Sequence, residues 1–278
     1  MSVHWDESIL TTEDIAAWNR LSSLLKENGH SIVAFSGGVD SAVLAAALYH
    51  VACEHMLAIM VDSPVHIDAD RAAAEAVAKE IGFPFKVIPF NDLNSDAFCN
   101  NPVDRCYVCK FNRFEFLIDY AKTHDYTAVM EGSNLDDEGD YRPGMKAVKE
   151  LGVISPLAMS GIRKEQIRRF AHAMNIPVWD RPSAPCLATR FTFGTKISEP
   201  ALGRIRDAEA FLNSLGLHAV RVRYDGQHAR IEVQEDELEN VIVNRKKIIS
   251  QLKELGFIKI SLDLEGYHLG SNNEGFIK

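Results

Sequence analysis

The sequence has few cysteines, no long apolar run and fewer basic than acidic side chains, and each shortage excludes a class of protein. No uninterrupted apolar stretch among its 278 residues approaches the ~20 that cross a bilayer. Residues 1–14 also lack the basic and then apolar pattern of a signal peptide. The sequence therefore predicts a cytoplasmic protein that does not contact membranes.

The charge balance and the cysteine count argue against two further classes of protein, those that bind nucleic acids non-specifically and those held together by disulfides. The chain has 30 lysines and arginines against 39 aspartates and glutamates, which gives a formal net charge of −9. Non-specific binding to nucleic acids draws its affinity from basic side chains that neutralise phosphates, so this balance argues against a nucleic-acid partner. The five cysteines are odd in number and do not indicate a disulfide framework; they indicate metal binding or catalysis instead.

Short apolar runs alternate with amphipathic segments over the first two thirds of the chain. Strands are predicted at 32–35, 56–61, 85–90, 127–130 and 152–155, and helices at 13–27, 41–52, 69–81, 110–122 and 164–174. This alternation predicts an α/β fold, with a parallel sheet and helices on both faces. Such sheets bind ligands beyond the carboxyl ends of their strands, where the loops 36–41, 62–68 and 131–141 are rich in polar residues.

The pattern changes after Arg181, and we expect a domain boundary between residues 1–182 and 183–278. The second part has predicted helices at 200–215 and 235–255, a hairpin around Asp225-Gly226 and a strand at 258–264. It would be a small α+β domain of the β-α-β-β-α-β kind if residues 189–193 also pair as a strand.

The segment S-G-G-V-D-S, residues 36–41, follows the first predicted strand and begins a helix. Glycines let backbone N–H groups approach an anion, and the helix directs its positive end to the same place. We expect Gly38 to need a positive φ, so Gly38→Val should be damaging. The segment has neither the Gly-Lys-Ser/Thr of a Walker loop nor G-x-G-x-x-G. The residues alone leave a phosphate-binding loop or an ordinary strand-to-helix turn.

Three cysteines and a group of acids are the other candidate functional residues. Cys106 and Cys109 form a C-x-x-C pair, and Cys186 lies in a proline-rich segment. This spacing leaves an iron–sulfur cluster, a zinc site and a redox pair open. Of the remaining two, Cys53 is expected in the core and Cys99 in an asparagine-rich loop. The acids that could hold Mg²⁺ are Asp136, Asp137 and Asp140.

Several motifs together resemble one family. S-G-G-V-D-S resembles the pyrophosphate loop of the N-type ATP pyrophosphatases, which cleave ATP to AMP and pyrophosphate. The others are E-G-S-N-x-D-D-x-x-D-Y-R-P-G (131–144), W-D-x-P-x-x-P-C-L-A-T-R-F (179–191) and R-V-R-x-x-G-x-x-A-R-I-E-V (221–233). With them, about residues 15–265 resemble the sulfur transferases that build the nickel-pincer cofactor of lactate racemase, the LarE family.

The resemblance implies a reaction. ATP with Mg²⁺ would adenylylate a carboxylate of pyridinium-3,5-biscarboxylic acid mononucleotide, and sulfur would displace AMP to give a thiocarboxylate. Some members have one cysteine in the position of Cys186 and give up its sulfur. Others also have a C-x-x-C pair and hold a 4Fe–4S cluster, and this chain resembles the second kind because it has Cys106, Cys109 and Cys186.

The resemblance also assigns roles to single residues. Lys110 and Cys186 would be catalytic, Arg190, Arg221 and Arg223 would bind the substrate, and Glu209 and Glu232 would bind a divalent metal. The implied nucleotide-binding residues are Ser36, Gly37, Gly38, Asp40, Ser41, Asp62, Ser63, Gly132 and Asp137.

Two other functions stay open. One is a tRNA-thiolating enzyme that pairs a pyrophosphate loop with a 4Fe–4S cluster, against which the acidic balance argues. The other is a non-catalytic nucleotide-binding regulator, which would not need the cysteines. The expected partner is a small molecule, and the expected assembly is a homo-oligomer, for which a hexamer would fit the family.

Overall fold

The structure is a computed structural model that describes residues 6–28, 30–139, 143–181 and 185–268. The chain divides into two compact units. The first unit contains Met1–Asn91 and Cys106–Ala184, and the second contains Asp92–Arg105 and Pro185–Lys278. The chain therefore enters the second unit, returns to the first at residue 106 and enters the second again at residue 185.

The helices of the described residues follow in chain order. The α-helices are α1 Thr12–Glu27, α2 Val39–Ala52, α3 Asp68–Ile81, α4 Asp96–Cys99, α5 Arg105–Thr123, α6 Pro143–Glu150, α7 Pro156–Met159, α8 Lys164–Ala173, α9 Glu199–Ser214, α10 Leu238–Val243 and α11 Arg245–Glu254. Short 3-10 turns are formed by Glu7–Ile9, Cys53–His55, Asp92–Asn94, Leu135–Gly139, Leu187–Arg190 and Glu235–Glu237. Within the described ranges, no helix is both long and apolar enough to span a membrane.

The first unit contains the predicted parallel sheet. Its strands are β1 Ser31–Ala34, β2 Leu57–Asp62, β3 Phe85–Pro89 and β4 Ala128–Met130, in the order β3-β2-β1-β4. The strand predicted at 152–155 is wrong, because this segment forms only one bridge, between Met130 and Ile154. Gly152, with φ +68°, and Pro156, which begins α7, leave it too short to extend the sheet.

Helices cover both faces of this sheet, as the alternation predicted. Val33, Ala58 and Met60 pack with residues of α1, α2 and α8, while Ile32 and Ile59 pack on the other face with residues of α5. Successive strand residues point to opposite faces, so a strand buried on both sides is a continuous apolar run. Helix α2 is apolar around its circumference and is accordingly buried.

The second unit contains a three-stranded sheet. Its strands are β5 Arg221–Tyr224, β6 His228–Glu232 and β7 Lys259–Leu262. Strands β5 and β6 form the predicted antiparallel hairpin, and β7 pairs parallel to β6. The predicted helix at 235–255 is interrupted at Asn244, where α10 ends and α11 begins.

Residues 189–193 do not form the strand that the β-α-β-β-α-β arrangement requires. Leu187–Arg190 is a 3-10 turn, and only Phe191 forms a bridge, to Tyr224. The backbone N–H and the hydroxyl of Thr189 both donate to the carbonyl oxygen of Cys186, at 3.0 and 2.8 Å, and these bonds curl the segment. The β-α-β-β-α-β arrangement therefore lacks its first strand.

Asn101 joins the inserted segment 92–105 to the rest of the second unit. It is fully buried and has φ +53°. Its side-chain amide donates to the carbonyl oxygen of Thr192 at 2.8 Å, and its own carbonyl accepts from the backbone N–H of Gly194 at 2.9 Å. Asparagine tolerates this left-handed conformation better than most residues.

Candidate active site

A cavity of about 300 Å³ lies where the loops leave the carboxyl ends of β1, β2 and β4. Its walls combine apolar and polar groups. The apolar lining residues are Ala34, Phe35, Ile59, Val61, Phe114 and Leu117, and the polar ones are Ser36, Asp40, Ser41, His66, Lys110, Arg113, Glu131, Ser133 and Asp137, with Gly132. The cavity lies entirely in the first unit. An apolar wall beside hydroxyl and charged groups suits a nucleobase with its phosphates.

The loop 36–41 closes on itself through its two serines. The hydroxyl of Ser41 donates to the carbonyl oxygen of Gly38 at 3.0 Å and accepts from the backbone N–H of Ser36 at 3.2 Å. Gly38 is the N-cap residue of α2 and has no side chain to cap the helix. This combination presents backbone N–H groups and the positive end of a helix at the cavity, which is the arrangement that binds phosphates.

The two glycines of this loop differ in conformation. Gly37 has φ +77°, and a Cβ there would lie 2.8 Å from the carbonyl oxygen of Asp70. Gly38 has φ −83°, so the expectation of a positive φ at Gly38 is wrong. Gly37, and not Gly38, has the left-handed conformation, because the chain must turn at Gly37 to bring Gly38 into the extended conformation of a helix N-cap.

The loop after β4 packs against the same helix terminus. A Cβ on Gly132 would lie 2.9 Å from the backbone nitrogen of Ser41, so only glycine allows this approach. Glu131 is buried and accepts hydrogen bonds from Ser133, both backbone and side chain, and from the hydroxyl of Ser155. Glu131 also lies 3.4 Å from the ammonium of Lys110. The loop thereby holds Lys110 at the cavity wall.

The acids near the loop have different partners. The ammonium of Lys164 lies 2.5 Å from Oδ2 of Asp40. Asp136 accepts from the backbone N–H of Lys164 and from Arg163, and these contacts lower the pKa of its carboxyl. Asp137 lines the cavity and accepts from the backbone N–H of Asn134 at 2.9 Å. Asp140 lies outside the described residues.

Asp62 and Ser63 lie at the end of β2 but do not line the cavity, whereas Val61 does. Asp62 lies 3.4 Å from Arg71 and 3.8 Å from His66. Sequence reasoning missed four residues: Glu131, Lys164, His66 and Arg113. A signal for Arg113 existed, because it follows Lys110 by three positions and so shares its helix face.

In the second unit, two predicted substrate-binding arginines pair with the two predicted metal-binding glutamates. Nε and Nη2 of Arg190 donate to the two carboxylate oxygens of Glu209 at 2.9 and 3.0 Å. Arg223 lies 2.8 Å from Glu232, and all four residues are buried. In this arrangement, each glutamate carboxylate is already neutralised by a buried guanidinium group. Metal binding by these two glutamates stays a prediction.

Arg221 differs from Arg190 and Arg223 in its exposure and in its contacts. It is half-buried, its guanidinium lies 4.9 Å from the ring centre of Tyr267, and Nη1 donates to the carbonyl oxygen of Val220. Within the described part of the chain, no carboxylate forms an ion pair with it. Burial, together with the positive charge of Arg190, lowers the pKa of Arg221. Such a cation favours an anionic ligand.

The structure places the three predicted cluster ligands in two units. Cys106 and Cys109 lie in the first turns of α5, and Cys186 precedes the 3-10 turn of the second unit. None forms a disulfide; Cys106 is exposed, and the other two are half-buried. Over residues 6–28, 30–139, 143–181 and 185–268, no three His, Cys, Asp or Glu side chains are grouped to hold a metal ion.

The other two cysteines have distinct environments. Cys53 is exposed at the end of α2, so the prediction that it lies in the core is wrong. Cys99 is buried, and its thiol donates to the carbonyl oxygen of Leu93 at 3.3 Å. Burial raises the pKa of this thiol, which disfavours the thiolate that binds metals.

Residues 16–133 match the NAD synthase family. Pyridinium-3,5-bisthiocarboxylic acid mononucleotide synthase of Lactiplantibacillus plantarum is 32% identical over 93% of this chain and 94% of its own length. An uncharacterized protein of Synechocystis is 35% identical over 93% of this chain and 97% of its own length. A tRNA-specific 2-thiouridylase of Thermoanaerobacter pseudethanolicus is 25% identical, over 66% of this chain and 62% of its own length.

Proposed function

Because the chain belongs to the family of the pyridinium-3,5-bisthiocarboxylic acid mononucleotide synthase, we propose that it converts carboxylates of pyridinium-3,5-biscarboxylic acid mononucleotide to thiocarboxylates. It is an ATP-dependent enzyme of the N-type ATP pyrophosphatase fold. The observation that carries the proposal is the cavity at the carboxyl ends of β1, β2 and β4. Ser36, Asp40 and Ser41 of the 36–41 loop, and Lys110, form part of its wall.

The first step would be adenylylation. A substrate carboxylate oxygen attacks the α-phosphorus of ATP, the bond to the β-phosphate oxygen breaks, and pyrophosphate leaves. The backbone N–H groups at Gly37 and Gly38 would bind the departing pyrophosphate, assisted by the positive end of α2. The apolar wall formed by Ile59, Val61 and Phe114 would hold the base.

Lys110 would stabilise the negative charge that develops around the α-phosphorus. Its position is supported by Glu131, whose carboxylate is fixed by Ser133 and Ser155. Preorganised charges of this kind act strongly because they need no rearrangement during the reaction. Arg113 adds a second cation on the same helix face.

An oxygen donor for Mg²⁺ is present at the cavity. The carboxylate of Asp137 lines it, and hard oxygen ligands are those that Mg²⁺ prefers. Mg²⁺ bound with ATP would take Asp137 as a ligand and offset phosphate charge. Asp40 is the less suitable ligand, because its carboxylate is paired with Lys164.

In the second step, a sulfur nucleophile attacks the acyl carbon of the adenylate, the bond to the AMP oxygen breaks, and AMP leaves. The donor set for a 4Fe–4S cluster is chemically suitable, since Cys106, Cys109 and Cys186 form no disulfide and none is fully buried. When bound, such a cluster would supply the sulfur for this transfer. The three cysteines would be its ligands.

Arg221 would bind an anionic group of the substrate, the phosphate or a carboxylate. It is the arginine of the three predicted substrate-binding residues that has no ion pair among the described residues. A guanidinium fork matches both groups in geometry.

The experiment that tests the adenylylation step measures pyrophosphate release from ATP with three additions: the pyridinium mononucleotide, bulk tRNA, or neither. We expect release only with the mononucleotide, and a loss of roughly a hundredfold in Lys110→Met. Lys146→Met is the matched control, since Lys146 is an exposed lysine paired with Glu150. Release that depends on tRNA instead would favour tRNA thiolation and overturn the proposal.

A further inference from the structure

Arg190 is a buried guanidinium that holds the backbone on either side of the Cys186 side chain. Its side chain has no exposed surface. Besides its two bonds to Glu209, Nη1 donates to the carbonyl oxygens of Pro185 and Cys186 at 2.7 and 3.2 Å. A fully buried guanidinium with these donors in use is poorly placed to bind a substrate anion, although the family resemblance implies that role.

The contacts of Arg190 continue to the sheet of the second unit. Oε1 of Glu209 also accepts from the backbone N–H of Val222 in β5, at 2.9 Å. Thr189 completes the turn: its hydroxyl donates to the carbonyl oxygen of Cys186 and accepts from Nη1 of Arg190 at 3.1 Å. A continuous set of hydrogen bonds thus runs from β5 through Glu209 and Arg190 to the backbone of Cys186.

Bidentate pairing fixes direction as well as distance, because two parallel N–H bonds to one carboxylate leave the guanidinium plane little freedom. Stability alone explains such a pair poorly, since buried ion pairs replaced by apolar side chains often leave stability unchanged or higher. The pair is better explained by the third guanidinium nitrogen of Arg190, Nη1, which holds the turn that carries Cys186.

We infer that Arg190 and Glu209 are a positioning pair that holds the Cys186 thiol in place for sulfur transfer. The inference rests on the proposed function, in which Cys186 takes part in the second step. A reacting group misplaced by about 1 Å lowers the rate by roughly a hundredfold. The pair therefore acts on the rate of sulfur transfer and not on the affinity for ATP or for the pyridinium substrate.

The test compares Arg190→Lys and Glu209→Gln with the parent protein in two assays on the same preparation. Steady-state sulfur transfer, measured at several concentrations of the pyridinium mononucleotide, gives kcat and KM for this substrate, and pyrophosphate release reports the adenylylation step in the first unit. We expect kcat for transfer to fall about tenfold or more, with KM and pyrophosphate release nearly unchanged. Arg169→Lys is the matched control, because it weakens another arginine–carboxylate pair, with Asp14 of the first unit.

A second measurement does not depend on the reaction. Alkylation of Cys186 by iodoacetamide in the full-length protein, followed by peptide mass spectrometry, reports how firmly the turn is held. We expect its rate to rise roughly threefold or more in Arg190→Lys, while Cys106 and Cys109 react as in the parent. If that variant does not fold, Thr189→Val removes one hydroxyl of the same network, and Thr189→Ser should restore the parental rate.

The outcomes separate the inference from the proposed function. Parental kcat and an unchanged Cys186 alkylation rate in folded variants would overturn the positioning role while leaving the proposed function intact. A rise in KM with parental kcat would return Arg190 to substrate binding. A parent protein that releases no pyrophosphate with the pyridinium substrate would overturn the proposed function, and the alkylation rates would still decide whether the pair holds Cys186.

Discussion

A Cβ on Gly37 would lie 2.8 Å from the carbonyl oxygen of Asp70 in α3. Gly37 also has φ +77°, so its conformation and its surroundings both exclude a side chain. We expect Gly37→Ala to lower the free energy of unfolding by about 2 kcal/mol or more. Denaturant unfolding followed by circular dichroism measures this change.

Gly38→Ala is the comparison variant for that loop. With φ −83° and only the Ser36 hydroxyl near its Cβ, at 3.5 Å, it should change stability by no more than about 0.5 kcal/mol. We nevertheless expect ATP-dependent pyrophosphate release to weaken by roughly tenfold, because the added methyl group lies on the backbone that would bind phosphates. A folded Gly38→Ala protein with parental release would mean that the loop is only a turn.

The buried carboxylate of Asp14 makes the acid stability of the first unit predictable. Burial raises its pKa, but hydrogen bonds from Arg169, Thr11 and Gln166 outweigh burial and hold the pKa well below its usual range. Because the folded pKa is below the unfolded one, the stabilisation is present above about pH 4 and is lost as the pH falls further. Asp14→Asn should cost about 2–3 kcal/mol at pH 7 and progressively less towards pH 2.

Unfolding free energies measured across that pH range would check this expectation. Glu75→Gln is the control, because the Arg71–Glu75 pair is exposed and should not contribute measurably. A constant difference between Asp14→Asn and the parent at all pH values would contradict the assigned pKa direction.

The arginines of β5 are expected to respond differently to substitution. Arg221→Ala should raise KM for the pyridinium substrate by roughly ten- to a hundredfold without changing the ATP constant, since it removes one charge-assisted pair. Arg223→Ala should instead destabilise the second unit, because it removes the ion pair with buried Glu232. Steady-state kinetics and thermal unfolding of both variants separate these effects. A stable Arg223→Ala protein with a raised KM would show that Arg223 binds the substrate and would contradict this assignment.

The three-cysteine hypothesis predicts the iron content. After anaerobic reconstitution, the protein should contain about four irons per chain, the number in the proposed cluster type. Cys106→Ala, Cys109→Ala and Cys186→Ala should each lose most of the visible absorbance, while Cys53→Ala and Cys99→Ala should keep it. A full cluster in Cys186→Ala would show that this cysteine is not a ligand.

Local patterns predicted the first unit well and the second less well. Alternate residues such as Ile32 and Val33 pack on opposite faces of the sheet, so a short apolar run was sufficient to identify β1 and its two layers of helices. The pairing of Arg190 with Glu209 could not be predicted in this way, because the two residues are 19 positions apart and meet only in the tertiary fold. The close approach of Asp70 to Gly37 likewise depends on where α3 packs.

The candidate site shows the same division. The loop 36–41 and Lys110 were identified from the sequence; Ser36, Asp40 and Ser41 of the loop line the cavity, and so does Lys110. The partners that hold them, Glu131 and Lys164, were not identified, since a glutamate after a strand and a lysine at a helix start are usually solvated. Glu131 contacts Lys110, which lies 21 positions away in the sequence, and Lys164 contacts Asp40, which lies 124 positions away. Both contacts depend on the tertiary fold.

The most direct test of sulfur transfer is the mass of the pyridinium product. The reconstituted protein would be incubated anaerobically with ATP, Mg²⁺, a sulfide source and pyridinium-3,5-biscarboxylic acid mononucleotide. The products would then be separated, and their masses determined by mass spectrometry. We predict a mononucleotide in which sulfur replaces a carboxylate oxygen, with AMP and pyrophosphate formed in equal amounts, and no such product from Cys186→Ala. Equal amounts of AMP and pyrophosphate with no sulfur in the mononucleotide would contradict the account.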